Sequence, residues 1–227
     1  MGTVDPAKYR DINMPKSRKE TMLINSEDII LEALLETPFD STRPPCVLMC
    51  HPNPRQGGSI YNNVLDSSSN SLLQEGIASL RFNFRGVGAS TGVFGDGTVE
   101  GIDALSVIDF TSRIDQIDGG RLGILGYSFG AGIALEAALA TSKVKSVTSI
   151  ACPQRRFSTF GTVEIVQPKL LICGDHDHDF PLGQFRFLSR RFTNPYQVEI
   201  ISGADHFFKG YELSLIHISE PTRPRLI

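Results

Sequence analysis

RLGILGYSFGAG, residues 121–132, decides the fold of this chain, because it reads as a strand, a sharp turn and the start of a helix within one short span. Residues 122–125 form an apolar run of the kind buried in a sheet. Residues 131–140 (AGIALEAALA) are rich in the strongest helix formers. Between them Gly126-Tyr127-Ser128-Phe129-Gly130 fits G-x-S-x-G, in which a serine sits on a strained strand-to-helix turn. Glycines two positions either side of the serine are needed where helix and strand backbones approach too closely for a Cβ. The helix that follows would aim its free N–H groups and the positive end of its dipole at an oxyanion formed beside Ser128. A glycine-rich turn with an incidental serine is the plainer reading, and the flanking strand and helix weigh against it.

Upstream, residues 46–50 (CVLMC) are a continuous apolar run suited to a strand buried on both faces. They empty into HPNPRQGG, residues 51–58, a loop of turn formers. A loop after an early strand is where an acyl-transfer site places its second oxyanion donor, the first being the N–H of Phe129. Pro52 and Pro54 carry no N–H, which leaves Asn53 and Arg55; Asn53 is favoured because it directly follows His51-Pro52. Residues 21–24 and 29–35 are apolar and flank the turn-like stretch 25–28, which predicts an antiparallel hairpin at the sheet edge. Residues 1–19 are polar and aperiodic, a lead-in to the domain at 20–212. A helix capped by Asn62 or Asn63 should run to Gln74, followed by a strand over 78–84. Thr98 is placed to cap a helix carrying Val99, Ile102, Leu105, Ile108 and Phe110 at helical spacing. Arg81 and Arg85 are expected to hold loops by hydrogen bonding rather than to bind anions.

Downstream, strands are expected over 144–151, 169–173 and 196–202, with a helix over 181–191. The first two strands are separated by about 17 residues, too few for a helical lid, so an open site is expected. Strands alternating with helices imply a parallel sheet, which binds ligands at the carboxyl ends of its strands. Ser128, the run Asp175-His176-Asp177-His178-Asp179, and His206 each follow a strand and are delivered to that edge. A serine hydroxyl is a poor nucleophile until a histidine takes its proton and a carboxylate fixes that histidine. His206 is the candidate base, because His51 precedes the serine, His176 and His178 share a loop with the acid, and His217 lies in the last segment. Asp177, three residues past Gly174, is the first candidate acid, with Asp175 and Asp179 as alternatives. The alternating Asp and His could instead suggest a metal. Alternation in an extended loop sends neighbours to opposite sides, however, and no helical H-x-x-x-H pair is present, so neither metal nor cofactor is expected.

With 227 residues, 41% hydrophobic and 21% charged, the chain suits one α/β domain with a substantial core. A net charge of -3 offers no basic field for nucleic acid or anionic membrane. The N-terminus shows no targeting pattern and no apolar run spans a bilayer, which makes the cytoplasm the expected compartment. Cys46, Cys50, Cys152 and Cys173 form no C-x-x-C pair and are expected to be buried free thiols.

HPNPRQGGSIYNN, LRFNFRGVGASTG, GYSFGAG, GDHD and GADHFF together resemble the lid-less α/β-hydrolases related to dienelactone hydrolases and Xaa-Pro peptidase-like hydrolases. The resemblance implies an α/β-hydrolase fold with a mostly parallel sheet, helices on both faces and no lid domain. It also implies a triad at the positions of Ser128, Asp177 and His206. The expected activity is cleavage of small soluble carboxylic esters through an acyl-enzyme. An exopeptidase or amidase on the same scaffold is the alternative, and a non-catalytic ligand receptor is a further one. The family usually ends in a helix packed on the sheet. Here residues 213–227 (LSLIHISEPTRPRLI) hold two prolines close together and are expected to be a foreign tail in place of that helix.

Overall fold

The computed structural model describes residues 16–161 and 163–212. In chain order the elements are β1 (Ser17–Ser26), β2 (Ile29–Pro38), β3 (Cys46–Cys50), α1 (Asn63–Gln74), β4 (Ala78–Phe82), α2 (Thr98–Thr111) and β5 (Leu122–Tyr127). They continue as α3 (Phe129–Ala140), β6 (Val144–Ile150), α4 (Gln154–Phe160), β7 (Lys169–Gly174), α5 (Leu182–Ser189) and β8 (Tyr196–Ile201). One eight-stranded sheet runs β1-β2-β4-β3-β5-β6-β7-β8. The β1–β2 hairpin and the β2–β4 pair are antiparallel, and all other neighbours are parallel. The hairpin therefore lies at one edge, and β5, which ends in the GYSFG turn, lies in the middle.

Two-residue alternation divides the strands between two cores. Leu48 and Ile124 face one cluster, which α2, α3, α4 and α5 cover through residues such as Val107, Ile133, Phe157 and Phe185. Val47, Met49, Leu125 and Tyr127 face the other, with Val64 and Leu65 of α1 and with Ala204 and Phe208 from the loop after β8. Each fully buried aliphatic or phenylalanine side chain contributes about 1.5–3 kcal/mol.

Several expectations meet physical corrections. β1 begins at Ser17, inside the stretch read as lead-in. The helix expected to be capped by Thr98 has Gly97 at its N-cap; Asp96 Oδ1 accepts from the Thr98 N–H at 3.2 Å, and the buried Glu100 carboxylate accepts from the N–H groups of Gly95 and Gly97. β4 stops at Phe82 rather than Phe84 because the Phe84 N–H donates to the His51 ring, 3.1 Å away, instead of to a strand carbonyl. The connection between β6 and β7 contains α4, but this helix sends Phe157 and Phe160 into the core and forms no lid. The segment expected to be a foreign tail, 213–227, lies outside the described residues.

Arg81 and Arg85 hold loops, as their sequence context suggests. Arg85 grips the buried Asp103 carboxylate with Nε and Nη2. Arg81, 2% exposed, pairs with Glu36, with Asp66 at 3.1 Å and with the Ile60 carbonyl at 3.1 Å. Glu36 is equally buried and also meets Lys19 and Ser69. Burial raises the Glu36 carboxyl, but Lys19 and Arg81 more than offset this and hold it below its ordinary range. Arg81→Ala should destabilise the protein by about 3 kcal/mol, because it breaks a buried ion pair and leaves Glu36 only the half-exposed Lys19 and the Ser69 hydroxyl. Urea unfolding checks this, and adding Glu36→Leu should recover part of the loss.

Candidate active site

Ser128 sits between β5 and α3 with φ 53° and ψ −118°, a conformation that strains a residue bearing a Cβ. The flanking glycines are required by contact. A Cβ on Gly126 would lie 2.1 Å from the Gly130 carbonyl oxygen, and one on Gly130 would lie 2.2 Å from that of Cys50. The second contact presses the N-terminus of α3 against the end of β3, which brings the 51–58 loop to the elbow. The Phe129 N–H is among the first-turn donors with no intrahelical acceptor.

That loop turns through a single 3-10 turn, Pro54–Gln56. The Arg55 N–H donates to Asn53 Oδ1 at 2.9 Å, so it is already occupied. The Asn53 N–H forms no hydrogen bond among the described residues, which leaves it the freer of the two candidate donors. His51 braces the loop from beneath. It is fully buried, its Nδ1–H donates to the Pro52 carbonyl at 2.7 Å, and its Nε2 accepts from the Phe84 N–H. Burial pulls its pKa down to about 4, against the opposing Pro52 contact, so the ring stays neutral. Nothing in the local sequence marks His51 for this bracing role, because its partner Phe84 lies 33 residues away.

His206 arrives on the loop after β8. Its Nε2 is 2.9 Å from Ser128 Oγ, and its Nδ1 is 3.0 Å from Asp177 Oδ2. Asp177 follows β7 and is buried, with Oδ1 accepting from the N–H groups of Asp179 and Phe180 at 2.9 and 3.2 Å. An ionised carboxylate only accepts, so it fixes the proton on Nδ1 and leaves Nε2 to accept from Ser128 Oγ–H. Burial pulls the His206 pKa down. The hydrogen bond and charge of Asp177, followed by the charges of Asp179 and Asp205, outweigh this and leave it above its ordinary value.

The three candidate acids separate by what they touch. Asp175 accepts from the Gly203 N–H at 2.6 Å and from Ser202 Oγ at 3.1 Å, clamping the base's loop to β7. Gly174 tightens the same seam, since a Cβ there would lie 2.2 Å from the Ala204 carbonyl oxygen. Asp179 lies 3.8 Å from His206 Nδ1 with its side chain 71% exposed. Tyr127, a variable position of the motif that sequence gave no reason to single out, donates its hydroxyl to the His206 carbonyl at 2.8 Å. Burial, with the charges of Asp177 and Asp205, pushes the Tyr127 hydroxyl up, so it remains a donor. The four cysteines are buried and free; burial raises the thiols, Cys152 to about 12, which keeps them unreactive.

Asp177, Asp179 and His206 also bring three potential metal-ligand atoms within 4.8 Å of one another. A metal there would need the Nδ1 lone pair, which places the ring proton on Nε2 facing Ser128. The metal-binding and proton-accepting states of His206 therefore exclude each other. Among the described residues no helix is long and apolar enough to cross a membrane.

Residues 27–159, more than half of the chain, match the sequence profile of the X-Pro dipeptidyl-peptidase (S15) family. The match spans the elbow but ends before the loops that bear Asp177 and His206. An uncharacterized protein of Rickettsia prowazekii (strain Madrid E) is 32% identical over 179 residues, 74% of this chain and 74% of that protein. An alpha-beta serine hydrolase homologue from Coxiella burnetii is 30% identical, covers 88% of this chain and 94% of its own, and superposes with a TM-score of 0.79. A Xanthomonas campestris serine hydrolase described as without a lid is 25% identical over 91% of this chain and 97% of its own, with a TM-score of 0.75. The chain belongs to the S15 family, and its fold is that of the lid-less α/β serine hydrolases.

Proposed function

We propose that this protein is a cytoplasmic carboxylesterase that cleaves small soluble esters through an acyl-enzyme, with no metal or cofactor. The observation that carries the reading is the continuous path from Ser128 Oγ through His206 Nε2 and Nδ1 to Asp177, at 2.9 and 3.0 Å. Ser128 attacks the ester carbonyl while His206 takes its proton. The tetrahedral oxyanion rests on the N–H groups of Phe129 and Asn53. His206 returns the proton to the leaving alcohol, and water then repeats the sequence on the acyl-enzyme. Asp177 stays ionised and stabilises the imidazolium.

Esters are favoured because an alkoxide leaves more readily than an amine, so the same triad cleaves them with less demand on leaving-group positioning. The match to the X-Pro dipeptidyl-peptidase family supports a second reading, release of X-Pro dipeptides by the same machinery. A panel of acyl esters against X-Pro and aminoacyl amides separates them. Ester turnover with the amides left intact is expected, unchanged by EDTA; faster release from X-Pro amides would replace the esterase reading.

A further inference from the structure

Two carboxylates face one ring nitrogen. Asp177 Oδ2 is 3.0 Å from His206 Nδ1, and Asp179 Oδ2 is 3.8 Å from the same atom. Their settings differ. The Asp177 side chain is fully buried and its second oxygen is committed to two backbone N–H groups. The Asp179 carboxylate is mostly exposed and forms no hydrogen bond among the described residues. Only His178 separates the two, so the turn places both carboxylates on the side of the ring.

We infer that Asp179 is a positioning residue for the base: its carboxylate stabilises the imidazolium from a second side and stands in for Asp177 when that group is neutralised. This rests on His206 acting as the base. The stand-in requires a side-chain rotation that shortens the 3.8 Å separation to hydrogen-bond length, which an exposed carboxylate is free to make. The other groups around the ring do not compete. Asp205, on the base's own loop, adds its charge to the field at the ring but makes no ion pair with either ring nitrogen, and it accepts from the Phe207 N–H. On the elbow side the Tyr127 hydroxyl is neutral and donates to the His206 carbonyl. Asp175 is turned toward Ser202 and Gly203, and the exposed His176 lies 4.0 Å from it. No lysine or arginine forms an ion pair with Asp177, Asp179 or Asp205 among the described residues.

The sign follows from charge. A carboxylate beside the ring favours the protonated base, so removing it lowers the pKa of His206 and moves the acidic limb of kcat/KM to lower pH. Asp179→Asn should shift that limb down by on the order of half to one pH unit, the size of one water-screened charge pair near this separation. The shift should shrink at high salt, and Asp179→Glu should restore it. NMR titration of His206, assigned with His206→Gln, reads the same pKa without any substrate. In the Asp177→Asn background, adding Asp179→Asn should cost at least about another tenfold in kcat. A limb and an NMR titration that both stay in place overturn the inference, as does a double variant no slower than Asp177→Asn. If the NMR pKa falls but no ester is turned over, the pairing stands and the esterase reading fails instead.

Discussion

Ser128→Ala should remove ester hydrolysis by roughly five to six orders of magnitude while the protein stays folded. The loss is large because nucleophile, base and acid act as a unit. Without the hydroxyl, His206 has no proton to take, and only the N–H groups of Phe129 and Asn53 remain to polarise the carbonyl. The fold should survive, because alanine keeps the Cβ that the turn already tolerates at φ 53°. The contacts that close the elbow are made by Gly126 and Gly130, not by Ser128 Oγ. Active-site labelling by a fluorophosphonate, followed by mass spectrometry, should place the adduct on Ser128 and disappear in the variant. An alanine variant that turns over p-nitrophenyl butyrate near the wild-type rate would remove Ser128 from the mechanism.

Asp177→Asn carries the second largest expected effect, a fall in kcat of about four orders of magnitude. Asparagine can still accept from the N–H groups of Asp179 and Phe180, so the loop should keep its shape. Its amide N–H₂ then points at His206 Nδ1 and favours the tautomer in which that nitrogen accepts. In that tautomer the ring proton sits on Nε2, the atom 2.9 Å from Ser128 Oγ, and the base cannot take the serine proton; the residual rate comes from molecules in which Asp179 holds the proton on Nδ1. Asp175→Asn makes the informative comparison. It weakens the contacts to Gly203 and Ser202, so it should loosen the His206 loop and cost far less in kcat. Equal losses at Asp175 and Asp177 would mean that the shape of the loop, not one carboxylate, controls the rate.

The elbow was legible because every requirement it imposes falls within five residues. Gly126 and Gly130 are read directly from the sequence, and the structure adds only the atoms they avoid, the carbonyl oxygens of Gly130 and Cys50. The sheet was legible for a related reason: a strand buried on both faces is apolar throughout, as in CVLMC, and its helices carry their own formers and breakers. Asn62 could be read as a helix cap because it satisfies an N–H two residues on. Thr98 could not be corrected locally. The N–H groups around that helix start are taken by Asp96 and Glu100, on either side of the threonine, and nothing in the threonine itself shows that they displace it as the cap.

What the sequence by itself determined was the strand-turn-helix elbow, the alternating architecture around it, and the delivery of serine, aspartates and histidine to one edge of the sheet. The tertiary structure decided how the three aspartates divide their contacts, which backbone N–H of the oxyanion loop is left unpaired, and the bracing by His51 and Tyr127. Those outcomes depend on atoms far apart in the chain: His206 meets Asp177 across 29 residues, Ser128 across 78, and the Tyr127 hydroxyl through its own carbonyl across 79. A sequence pattern records which groups can form a hydrogen bond. Only the packed seam between the loops after β7 and β8, closed at Gly174, fixes which of them come within 3 Å.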